Sequence, residues 1–192
     1  QRISRAKTTI DEHGRHFPRP ETGTERLPAM LHALYLMYTA GHSRPNGDDL
    51  FDLAVTDEAI RLARLLHAAM PDETETAGLL ALMLLSEARR SGRRSPAGEL
   101  VTLRDQDRTR WNNAMISEGV SLLEAALPTG PVGAYQLQAA ISAVHSEAAT
   151  WEETDWAQIV ELYAMLARIA PSPTVTLNYA VAVSEVHGPS AA

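Results

Sequence analysis

Seven stretches of this chain set apolar residues at alternating three- and four-residue steps, and proline or glycine cuts most of them off. That spacing lays the apolar residues along one face of an α-helix. Proline ends such a helix because it donates no backbone hydrogen bond and clashes with the preceding turn. The period-two alternation that marks a strand never runs beyond about five residues. The sequence therefore predicts an all-α fold of about seven helices, covering 25–40, 48–70, 73–90, 108–127, 134–149, 155–170 and 174–186. The second should be capped by Asp48 or Asp49 and break near Thr56. The third is apolar on every side through 79–85 and should be the most buried. Asp107 is expected to cap the fourth, Thr154 the sixth, and Gly188 to end the seventh. Residues 99–103 read as a short extended piece.

Short connections make sequential helices antiparallel. Helices of this length joined in this way predict pairs stacked as a right-handed superhelical array. The last two resemble part of a tetratricopeptide unit. Tyr163 sits mid-way along a second helix and Pro171 just after it; Leu177 and Ala180 hold the packing positions of the next helix, which ends at Gly188. Ser184 departs from that pattern, where an aromatic is usual.

Charge divides the chain. Its net charge is −7. Residues 1–20 hold five cations against two acids, a net +3, which leaves −10 for the remainder. An acidic body repels nucleic acid, whereas a basic leader attracts phosphate. There is no cysteine, so disulfides, thiolate zinc sites and cysteine nucleophiles are excluded. The longest apolar run, 79–85, is far short of the roughly 20 residues that span a bilayer, and no membrane contact is expected. No leader of the secretory type opens the chain. A start at Gln1 reads as a piece of a longer protein.

Catalytic chemistry finds no convincing constellation. His13 and His16 stand three apart in a Pro-rich stretch without a third imidazole nearby. His145 falls on the apolar face of the fifth helix, near Ser142 and Glu147, where a packed histidine suits the pattern better than a general base. Asp105-Gln106-Asp107-Arg108 lacks the acidic ladder and closing Glu of a calcium loop. Phosphate-cradling glycine loops and Gly-x-Ser-x-Gly are absent. We therefore expect no catalytic residues, no metal and no cofactor. Around 105–111 the residues predict a structural role, with Arg108 and Arg110 pairing acids of a neighbouring helix and Trp111 anchoring the core.

Several stretches in order carry a further likeness: Leu34-Tyr35-Leu36-Met37-Tyr38, Asp57 through Leu66, and Gly78 through Leu85. They continue with Asp105-Gln106-Asp107-Arg108-x-Arg110-Trp111, Tyr135 through Ile141, Thr154-Asp155-Trp156-x-x-Ile159, Ala170-Pro171-Ser172-Pro173 and Asn178-x-Ala180-Val181-Ala182-Val183. Over residues 24–190 the chain resembles the C-terminal helical extension of a subgroup of extracytoplasmic-function (ECF) sigma factors of the bacterial sigma-70 family. Gln1-Arg2-Ile3-x-Arg5-Ala6-Lys7-x-x-Ile10 resembles the end of sigma region 4. The sequence departs at Thr39-Ala40-Gly41-His42, where the subgroup has Asn-Glu-Gly-Tyr, which implies a lost or altered partner contact there.

The resemblance implies two parts: residues 1–20 as the end of the region 4 recognition helix with its linker, and 21–192 as a tetratricopeptide-like extension. It implies a cytoplasmic regulatory, protein-binding role in transcription initiation, with RNA polymerase core and promoter DNA as partners of the full-length protein and a further regulatory protein of unknown identity. Arg2, Arg5 and Lys7 are the expected DNA-contacting residues, making phosphate contacts that position rather than read sequence. Without the rest of region 4, this chain alone should bind DNA weakly or not at all. Asp105, Asp107, Arg108, Arg110, Gln136, Gln138 and Asn178 are the expected exposed protein contacts. A weak homodimer through the seventh helix is expected, its second face lacking a partner. The competing expectations are a generic helical scaffold and an all-α enzyme with a site between helices.

Overall fold

A computed structural model describes residues 23–42, 53–95 and 97–191. These form an all-α molecule of seven α-helices: α1 Leu27–His42, α2 Leu53–Ala69, α3 Thr74–Ala88, α4 Asn113–Ala126, α5 Ala134–Glu147, α6 Trp156–Ile169 and α7 Pro173–His187. Among the described residues the only β pairing is an isolated antiparallel bridge between Arg94 and Leu100; of the two only Leu100 falls in the stretch expected to be extended, which gives way to a 3₁₀ turn at Leu103.

Each helix packs on the next in sequence. Contacts between α1 and α3 and between α3 and α5 place α3 at the centre, with α1, α2, α4 and α5 around it. Its position follows from its composition. Leu79 through Leu85 are all buried, so a helix apolar on every side needs neighbours on every side. One face joins Leu31, Tyr38, Ile60 and Leu66 of α1 and α2. The opposite face, with Ala81, Leu82 and Leu85, meets Leu123 of α4 and Ala139 and Ala143 of α5. A third, smaller cluster has Leu137 and Ile141 of α5, Ile159 and Leu166 of α6, and Ala182 of α7. The approach of α3 to α5 depends on Gly78, where a Cβ would stand 2.7 Å from both Cγ and the backbone N of Gln136.

Local expectations meet the structure unevenly. Gly188 ends α7 with φ +84°, a left-handed conformation that glycine adopts without steric cost, and Ser172 Oγ caps its start. The expected break near Thr56 is absent, since α2 runs through it and the residue is buried in its packed face. Helix α4 starts at Asn113 rather than 108. Asp107 instead caps a separate 3₁₀ turn, Arg108–Arg110, and Asn112 Oδ1 caps α4 through the backbone N–H groups of Ala114 and Met115. Asp155, not Thr154, caps α6, accepting from Gln158 N at 2.9 Å. Thr154 is buried and its hydroxyl donates to Thr150 O. The cap of the second helix at Asp48 or Asp49 lies outside the described residues.

No described helix is long and apolar enough to cross a membrane.

Candidate functional site

The connection from α3 to α4 is the longest among the described residues, and it folds over the end of α3. Arg93 and Val101 pair across the bridge, with Val101 N donating to Arg93 O at 2.9 Å. Asn112 N then donates to Ala88 O, returning the chain to the helix it left. Polar and charged residues converge beneath this loop. Glu87 is buried, forms an ion pair with Arg90, and lies 3.5 Å from His42 Nδ1. Arg93 reaches His42 Nε2. The Tyr38 hydroxyl stands closer to the same Nδ1, at 3.1 Å, and Nε2 is left to accept from Arg93. Burial, with Arg93 close by, holds His42 below the usual histidine range despite Glu87.

Arg108 leaves this loop for the C-terminal end of α5. Its Nη1 donates to the carbonyls of His145 and Ala148, each at 2.6 Å, and its guanidinium lies 4.9 Å from the Trp111 ring centre. A cation there satisfies carbonyls that the helix leaves unpaired and meets the negative end of its dipole. Trp111 is buried, as expected of a core anchor. Among the described residues neither arginine forms the ion pair that the sequence predicts: Arg110 donates to Arg94 O at 3.4 Å. Asp105 accepts from the Thr102 hydroxyl. Asp107 accepts from Thr109, and those bonds hold its carboxyl below the ordinary range. Asp105, Asp107 and Arg110 remain exposed and Arg108 is half-buried.

The other expected contact residues do not join this segment. Gln136 is fully buried, which corrects its reading as an exposed group. It packs over Gly78 and accepts from Gly133 N at 3.0 Å, closing the first turn of α5. Glu75 of α3 accepts from the N–H groups of Tyr135 and Gln136. A helix of 14 residues is about 21 Å long, so the N-terminal end of α5 lies far from Arg108. Gln138 lines a groove of about 850 Å³ at that end, with Leu27, His32, Tyr35, Glu73 and Val175. Asn178 of α7 is exposed and lines a different cavity. Arg2, Arg5, Lys7, His13 and His16 lie outside the described residues.

The sequence reading passed over Arg89. It is half-buried and lines two cavities, one of about 380 Å³ toward His42 and Arg93 and one of about 290 Å³ toward α5, α6 and α7. Burial first, then Arg93 and Arg108, push its guanidinium down to about 10. His145, which faces the smaller cavity, is pushed down to about 4, by burial first and then by Arg89 and Arg108. An imidazole so depressed is neutral and packed, as the apolar face of α5 suggests, and its ring lies 5.1 Å from Trp156. Among the described residues no three His, Asp or Glu groups assemble as a metal site.

A family model described as a family of unknown function (DUF6596) matches residues 26–127, just over half of the chain. The chain belongs to the DUF6596 family. The DUF6596 match covers α1 to α4 and the whole α3–α4 connection, so Arg89, Arg93 and Arg108 lie inside it; His145, Trp156 and Asn178 lie beyond it. An uncharacterized protein of Rhizobium meliloti (strain 1021) is 44% identical over 194 residues, covering all of this chain and 46% of its own length. The DUF6596 chain thus spans about half the length of that relative. No solved structure matches it.

Proposed function

We propose that this chain is the regulatory, protein-binding domain of an ECF sigma factor, acting in transcription initiation in the cytoplasm and performing no chemistry of its own. The ordered resemblance of residues 24–190 to such an extension carries the reading. The packing supports the tetratricopeptide-like part of it: α1 with α2, α3 with α4 and α5 with α6 form successive pairs, and first helices touch first helices at α1–α3 and α3–α5. The groove at the N-terminal ends of α1 and α5 suits a protein segment in size. Its charged lining, Glu73 and Glu75 with His32 and, among the described residues, no Lys or Arg, favours a segment with basic and apolar side chains. On this reading, more than half of the R. meliloti relative lies outside the match and supplies sigma regions 2 and 4, which bind promoter DNA and RNA polymerase core.

The test is transcription by the full-length relative with RNA polymerase core. Promoter-specific initiation, altered when the region equivalent to this chain is deleted, is the expected result. Failure to support initiation from any genomic promoter fragment overturns the reading.

A further inference from the structure

The smaller cavity at Arg89 has the build of a ligand site. One wall is aromatic: Trp151 and Trp156 lie 4.5 Å apart, centre to centre, and Tyr163 joins them across α6. Arg104 stacks on Trp151 at 5.9 Å and holds that ring from the α3–α4 connection. Ile141 and Val181 complete an apolar lining on α5 and α7. Into this lining face three polar groups. Arg89 comes from the end of α3. His145 is only 9% exposed, and its Nδ1 has no hydrogen-bond partner among the described residues. The Asn178 amide reaches the Tyr163 hydroxyl from the rim.

The charges do not balance at that spot. Glu87, the buried acid of the junction, is engaged by Arg90 and His42. Glu152 and Glu153 act on Arg108. Among the described residues no carboxylate is in ion-pair contact with Arg89, and its charged neighbours are the cations Arg93 and Arg108. A confined guanidinium without a counter-charge is costly, and a planar carboxylate matches its paired N–H groups. A neutral imidazole on the cavity wall can add one N–H donor to the same anion.

We propose that this cavity binds a small aromatic monocarboxylate, its carboxylate on Arg89 beside the His145 imidazole and its ring against Trp151, Trp156 and Tyr163. About 290 Å³ holds a ligand of roughly ten non-hydrogen atoms and is too small for a folded segment of a partner protein. The site stands apart from the sigma-factor reading, because it concerns binding by this chain alone.

Phenylacetate is the probe, with phenylacetamide as its neutral isostere. Two of the three tryptophans line the cavity, so intrinsic fluorescence reports occupancy directly. Phenylacetate should give a saturable fluorescence change, with phenylacetamide at least tenfold weaker. Arg89→Gln should weaken phenylacetate at least tenfold while its melting temperature does not fall, since the change removes an uncompensated cation. Asn178→Asp, at an exposed position on the rim, sets a negative charge at the mouth and should weaken phenylacetate at least threefold. It keeps the test valid if Arg89→Gln folds poorly. No saturable binding up to millimolar phenylacetate, equal binding of the amide, or wild-type binding by both variants overturns the proposal.

Discussion

The helices around α3 and the terminal pair α6–α7 are built from similar residues and end in opposite states. In α3, twelve of the fifteen residues are buried. In α7 only Ala182 is, while Leu177, Val181 and Val186 are 65%, 46% and 38% exposed. Met165 and Ile169 of α6 are exposed as well. Composition does not separate the two regions; the number of neighbours does. Four helices surround α3, whereas α7 packs chiefly on α6 and on its own terminal turn. An apolar residue contributes to stability only through the area a neighbour removes from water, so equal side chains count very differently in the two places.

The largest expected effect tests that statement. Leu84→Ala, in a site with no exposure, should destabilise by about 2–5 kcal/mol. Leu177→Ala should change stability by no more than about 0.5 kcal/mol. Urea unfolding of both measures the contrast, and similar losses would break the comparison.

The boundary between the regions should respond to acid. His145 is held near 4 in the folded protein against about 6.5 when unfolded. Between those values the unfolded chain binds a proton that the folded chain refuses. Stability therefore falls as the pH drops from about 6.5 toward 4, by up to about 3 kcal/mol, and this contribution levels off below 4. Stability followed against pH should lose much of that slope in His145→Phe. The remainder includes His42, whose titration is depressed in the same direction.

Close packing around α3 predicts the next effect. Gly78→Ala drives a methyl group against the Gln136 backbone and should cost about 1–3 kcal/mol, read as a melting point lower by several degrees. The exposed side of the comparison predicts an effect on association instead. Leu177 and Val181 stand one turn apart on α7 and should drive weak self-association. Val181→Glu should shift sedimentation at high concentration toward monomer without lowering the melting point. The smallest effect belongs to the exposed bridge between α2 and α4. Arg64 Nη2 donates to Glu118 at 2.8 Å, and Arg64→Ala should cost less than about 1 kcal/mol.

By itself the sequence determined the helical class, the central burial of α3, the glycine stop of α7 and the core position of Trp111. Each rests on periodicity or on a local backbone rule that a few consecutive residues obey wherever they sit. Tertiary structure decided the rest. Asp107 and Thr154 have the chemistry of helix caps, but which residue caps depends on where the entering backbone turns. Gln136 reads as a surface residue until Gly78 and Glu75, far away in sequence, close over it. Arg89 is one of four arginines in a polar run, and nothing local distinguishes it from Arg90, which finds Glu87. Only the tertiary fold gives it an aromatic cavity lined from α5, α6 and α7, with no carboxylate in ion-pair contact among the described residues. Burial and charge balance are sums over neighbours brought together by folding, and a helix period records only which side of a helix faces inward.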